Sequence, residues 1–302
     1  MRLNGRRTSG NIVDRRGQSS GGGFNFGGGG GRGIRIGGIG GIGGLIILGV
    51  VWLLTGINPV DLMNGTAGMQ NYNVVHQDGN YTPTAHEEEL AEFASQILAG
   101  TEDVWTEKFK EMGRTYVPPK MVLYTGSINS ACGGATSAVG PFYCSGDQTI
   151  YIDLSFFDQM EREMDAGGDF AFAYVIAHEV GHHVQYLLGT LQEAHSRMAR
   201  VSETEANKIS VRTELQADYY AGVWAHGDNE MFQSLEDGDI EEGLNAASKI
   251  GDDYLQKQAR GYAQPETFNH GRSDQRVRWL KKGASTGSVA GGDTFSPAYN
   301  QL

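Results

Sequence analysis

The stretch Ala177-His178-Glu179-Val180-Gly181-His182-His183 constrains this chain more than any other. It closes a run from Phe170 to Ala177 that is apolar and free of Gly and Pro, so a buried helix is predicted there. On a helix, residues four apart lie one above the other on a single face. His178 and His182 then offer two imidazole nitrogens to one metal ion. Glu179 lies roughly 100° around the axis, beside that ion, where a carboxylate takes a proton from a water the ion holds. His183 points away from the ligand face and reads as a packing or surface residue. Two ligands do not complete a site.

A catalytic zinc takes three protein ligands and keeps a fourth position open, so a carboxylate or histidine is needed from a neighbouring element. Glu214 is the best candidate. It sits on a separate predicted helix that starts at the capping box Ser202-Glu203-Thr204-Glu205 and runs to about Trp224. Asp218, one turn further along the same face, is placed to accept the second N–H of a ligand histidine and fix its tautomer. Taken alone, both acids read as solvated helix residues. Their neighbours Leu215, Ala217, Tyr219, Tyr220, Ala221 and Val223 favour a buried helix instead, where unpaired acids are costly.

Charge is unevenly spread along the 302 residues. Residues 1–35 carry seven arginines against Asp14 alone, a net +6, which leaves −18 on the rest. So acidic a body argues against nucleic acid as a partner, since phosphate binding needs a basic face. Arg272, Arg276 and Arg278 are expected to pair with its acids. From Ile36 to Ile57 no residue is charged, and these 22 residues match the ~20 that span a bilayer. Arg32 and Arg35 precede the run and acidic Asp61 follows it, so the positive-inside rule puts the N-terminus in the cytoplasm and the remainder on the exported side. A cleaved signal peptide is the rival reading, with Asn64 to Gly68 as the only small-residue stretch for cleavage.

The organisation expected is a disordered, basic, Gly-rich cytoplasmic arm over 1–35, a single-pass inner-membrane anchor over 36–57 and a linker over 58–86. A domain over 87–283 and a disordered tail over 284–302 follow. Within the domain, helical spacing from Leu90 to Met112 breaks at Gly100. Met121 to Thr125 and Thr149 to Leu154 read as strands. Between them lie Cys132 and Cys144, the only cysteines. In an exported segment a disulfide is favoured over free buried thiols, and their spacing is not that of zinc ligands. The fold class is α+β, helix-dominated, with a small sheet, preceded by one transmembrane helix.

At this point the chain resembles the bacterial neutral zinc metallopeptidases, which combine an H-E-x-G-H-H helix with a downstream E-x-x-A-D helix. The resemblance extends to Arg6 through Gly17, to Cys132-Gly133, to Gly140 through Cys144, and to His270-Gly271 with Gln275 through Trp279. More widely it is to gluzincins, whose third ligand is a glutamate. That implies a zincin-like domain holding one zinc ion on His178, His182 and Glu214, with Glu179 as catalytic base. A second donor to the developing oxyanion is sought among His270, Tyr219 and Tyr220. His270 is favoured for its place in the late Asn-His-Gly cluster, against a capping or surface role. Zincins bind peptide along a sheet edge, and Thr149 to Leu154 is the strand expected to form it. The substrate expected is a peptide or protein. A catalytically silent zincin-like scaffold at the membrane, or a non-peptidase zinc amidohydrolase, is the alternative.

Overall fold

A computed structural model describes residues 1–18, 81–136 and 140–302. The uncharged run 36–57 lies outside the described residues, among which no helix is long and apolar enough to cross a membrane. The fold is helix-dominated α+β.

Two long helices form its centre. Helix α3 (Asp169–Leu188) is buried from Phe170 to Gln185 at all but one position, so it is a core helix rather than an amphipathic surface one. Gly189 ends it in the left-handed region at φ 86°. Helix α5 (Glu203–Phe232) begins at Ser202, whose hydroxyl accepts the Glu205 N–H, and is buried from Ile209 through Ala225 at all but Arg212. It runs eight residues past the expected end at Trp224, through Gly227, where a Cβ would lie 2.8 Å from the Val104 side chain. The two helices meet at Gly181 and Ala217. A Cβ on Gly181 would lie 2.9 Å from the Ala217 carbonyl oxygen, so only glycine permits this approach. The crossing therefore falls inside both motifs, between His178 and His182 on one side and between Glu214 and Asp218 on the other. Helix α8 (Ser273–Thr286) packs on α5 through a similar contact, Gly283 against Tyr219.

Helix α1 (Ala85–Glu111) starts at a capping box, with the Glu87 N–H donating to the Thr84 hydroxyl and the Thr84 N–H to the Glu87 carboxylate. It runs unbroken through Gly100, where a break was expected. The other helices are α2 (Ser155–Met164), α4 (Thr190–Met198), α6 (Asp239–Lys249) and α7 (Asp252–Arg260).

The main sheet has the order β1-β2-β6-β5, with β1 (Ile12–Arg15), β2 (Lys120–Tyr124), β5 (Phe142–Cys144) and β6 (Thr149–Asp153). The first three strands in that order are parallel, and β5 pairs antiparallel with β6. Strand β6 is thus paired on both sides and is not the expected edge; among the described residues the edges are β1 and β5. A separate hairpin joins β3 (Ser127–Ser130) to β4 (Gly133–Thr136). Cys132 and Cys144 form a disulfide that ties this hairpin to β5.

Two segments expected to be disordered are folded. Residues 1–18 supply β1 and lie on the domain. The tail over 284–302 is held by side-chain bonds to backbone carbonyls: Arg212 donates to Thr294 and Pro297, Arg278 to Leu302, and Leu302 itself is buried. Polar, Gly-rich composition conceals both, since most of their anchors are ion pairs and hydrogen bonds to distant residues, with only a few apolar side chains such as Ile12 and Leu302 packed on the core.

Candidate metal centre

The α3–α5 crossing brings His178, His182 and Glu214 together, each buried, with one ligand atom from each within 4.8 Å of the other two. His178 Nε2 is 3.2 Å from Glu214 Oε2, and His182 Nε2 is 3.5 Å from Glu214 Oε1. Tetrahedral zinc with bonds of about 2.0–2.1 Å needs ligand atoms about 3.3 Å apart, so these spacings fit. His182 Nε2 and Glu214 Oε1 are buried without a hydrogen-bond partner, which a cation between them would remedy.

The other nitrogen of each imidazole is engaged. His178 Nδ1 lies 2.8 Å from Asp218 Oδ1, and His182 Nδ1 lies 2.9 Å from Gln185 Oε1. As acceptors, both oxygens keep the proton on Nδ1 and leave Nε2 to face the ligand group. Gln185 is fixed in turn by donating to the Thr213 carbonyl and to Gln216 Oε1. Asp218 is held by Arg276, whose Nε and Nη2 donate to its two oxygens at 2.8 and 2.9 Å, and by the Tyr174 hydroxyl at 2.6 Å. Arg276 has no exposed surface at all.

These charges set the protonation states. Burial alone would raise Asp218, but Arg276 and His178 hold it at about 2. Burial would likewise raise Glu214, yet His182 and His178 keep it well below the usual carboxylate range. Burial opposes charge on His178, and the Asp218 and Glu214 carboxylates overcome it, pushing the imidazole up to about 9. The same field favours a divalent cation at Nε2.

Glu179 stands apart from the ligand set. Its carboxyl is raised by burial, against the pull of His182 and His178, and its Oε2 is buried without a partner. A cavity of about 20 Å³ lies against His178 and Glu179, walled by Gly140, Pro141, Phe156, Ile250 and Leu255. That is room for about one water.

His270 is not among the three clustered ligands. It is buried, with its Nδ1 2.8 Å from Asp252 Oδ1 and its backbone N–H donating to Asp252 Oδ2, while Nε2 is buried without a partner. It is therefore no surface histidine. The hydroxyl of Tyr219 donates to the Ser288 carbonyl and so is engaged away from the group, and Tyr220 packs edge-on against Trp105. Tyr174 does, and sequence reading passed over it although it lies one turn before His178 on the same face. Gln185, one turn past His182, was missed for the same reason. As expected, Arg276 pairs with an acid; Arg272 and Arg278 pair with Asp274.

His183 is a packing residue. It accepts the Tyr143 hydroxyl at Nδ1 and donates from Nε2 to the Val117 carbonyl. Burial lowers it from 6.5 to about 4. Between these values the unfolded chain binds a proton that the folded one does not. Stability is thus full above pH 6.5 and falls as pH drops toward 4, by up to about 3 kcal/mol. Melting temperatures followed from neutrality to pH 4 are expected to show this loss, and His183→Gln, which can keep both bonds, to flatten it. Parallel curves for the two proteins would place the titration elsewhere.

A buried H-E-x-x-H helix crossed by a second helix carrying a glutamate thus sets out a group that could hold one metal ion. The chain belongs to the family described as "Putative neutral zinc metallopeptidase", which matches residues 1–295. It is 48% identical over 295 residues to the protein YpfJ of Escherichia coli (strain K12), covering 98% of this chain and 99% of that one. It is 44% identical over 193 residues to the protein Rv2575 of Mycobacterium tuberculosis (strain ATCC 25618 / H37Rv), covering 61% of this chain and 64% of that one. No solved structure matches it significantly.

Proposed function

We propose that this chain is a zinc metalloendopeptidase, with one zinc ion on His178, His182 and Glu214. Zinc there supplies a Lewis acid that lowers the pKa of a water towards ~7 and polarises a carbonyl. Glu179 accepts the proton of the attacking water and hands it to the leaving nitrogen. Its raised pKa suits a group that must hold a proton between two steps. Asp218 and Gln185 keep the two imidazoles aimed at the ion, and Arg276 keeps Asp218 charged. His270 is the donor proposed for the oxyanion: as an imidazolium, with Nδ1–H donating to Asp252, it would carry a second N–H at Nε2. Strand β5 is the edge along which an extended peptide would add, and its Tyr143 N–H favours the ionised form of Glu179. The observation that carries this reading is the buried Glu179 carboxyl beside the ligand group, with its Oε2 unpartnered, because a purely structural metal needs no base there.

The chain is further proposed to act at a membrane through the run 36–57, on the exported side. The Cys132–Cys144 disulfide supports an oxidising compartment.

The test is an unbiased peptide library incubated with the purified protein. Cleavage that stops with a chelator and returns with one equivalent of zinc is the result expected. Bound zinc without cleavage of any peptide would overturn the peptidase reading and favour a scaffold. Hydrolysis confined to non-peptide amides would favour an amidohydrolase.

A further inference from the structure

The basic arm is built into the metal domain. Strand β1 pairs with β2 in register from Ile12 opposite Met121 to Arg15 opposite Tyr124. Arg6 grips the buried Asp228 with two hydrogen bonds, at 2.7 and 3.2 Å, and its guanidinium stacks 3.7 Å over the Phe232 ring. Arg7 donates to Glu102, Asp103 and the Ala99 carbonyl. Ser9 and Asn11 both donate to Glu102, and Arg16 reaches Glu88 and the Glu87 carbonyl. Removing the arm would strand Asp228 and Glu102, both buried, without these partners, which is costly.

A second feature is independent of the arm's own sequence. Gly100 lies in the interior of α1, where glycine costs about 1 kcal/mol against alanine. A Cβ there would lie 2.6 Å from Asp228 Oδ1 and 2.7 Å from Arg6 Nη2. The helix is thus shaped to admit the Arg6–Asp228 pair.

Gly17 packs against the Tyr81 ring. The two ends of the 19–80 segment therefore meet the domain at neighbouring points. A single crossing by the run 36–57 would instead put ~30 Å of hydrocarbon between them. Arg2, Arg6, Arg7 and Arg16 of the basic arm each pair with an acid of the domain.

We infer that residues 1–18 and the metal domain occupy one compartment, so that both ends of the 19–80 segment face the same side of any membrane the chain meets. This replaces the expected cytoplasmic N-terminus with an exported domain. It does not depend on the peptidase reading.

The experiment uses the full chain in cells. Thr8 in the arm and Ser196 on α4 are both exposed, and each is replaced singly by cysteine. The native cysteines are disulfide-bonded and do not compete for label. A membrane-impermeant maleimide is applied to cells with an opened outer layer and to fully lysed cells. Both variants are expected to label under the same condition, whichever it is. Labelling of one before lysis and of the other only after it would overturn the inference. Asn4→Cys with Asn300→Cys repeats the comparison at a second exposed pair, so that one misfolded variant cannot decide it.

Discussion

Glu179→Gln is expected to keep its zinc and to lose about 10²–10⁴-fold of the wild-type rate of peptide cleavage. Gln has nearly the shape of Glu, so the walls formed by Pro141 and Phe156 need not move. What it lacks is a group that can take a proton and return it. The ligand set is untouched, because Glu179 is not one of the three clustered side chains. Loss of activity with zinc retained separates a base from a ligand. Wild-type rates in Glu179→Gln would mean that another group moves the proton, and the role assigned to this carboxyl would fall.

Arg276→Met carries the largest expected cost in stability. It leaves Asp218 buried with no exposed surface and without the two charge-assisted bonds that hold it. Breaking a buried pair from one side costs about 3–5 kcal/mol. For a domain of this size that lowers the melting temperature by roughly 10 °C. Zinc affinity is expected to fall about 10–100-fold as well, since Asp218 no longer holds His178 in place. The double variant Arg276→Met with Asp218→Asn removes both charges and is expected to regain much of the stability but not the zinc affinity. If Arg276→Met melted like the wild type, the pair would not be the clamp described above.

How far the site could be read in the sequence depended on whether each contact is local. His178, Glu179 and His182 were legible because helix geometry alone puts them on adjoining faces. Glu214 and Asp218 were legible as a second helix, but nothing local places that helix against the first. The crossing depends on Gly181 meeting Ala217, a contact between two small residues far apart in the chain. Tyr174 and Gln185 were within reach, since each lies one turn from a ligand histidine on α3. The bond from Asp252 to His270 spans 18 residues and a change of element, so spacing could not reveal it.

The sheet was legible only in its apolar strands, β2 and β6. Strand β5 has three residues and β1 is half polar, too short and too mixed to stand out against a Gly-rich background. Missing them made β6 look like an edge and the arm look free. The Gly100 signal was present but read the other way. A glycine inside an otherwise helical pattern marks either a break or a close approach, and here it admits Arg6 and Asp228.

The central claim is that His178, His182 and Glu214 hold one zinc ion. Zinc content of the purified wild type and of Glu214→Ala, measured by elemental analysis after equilibration with limiting free zinc, tests it most directly. About one zinc per chain in the wild type and a large loss in Glu214→Ala is the expected result. A wild-type protein that takes up no zinc, or a Glu214→Ala variant that holds as much as the wild type, would contradict it.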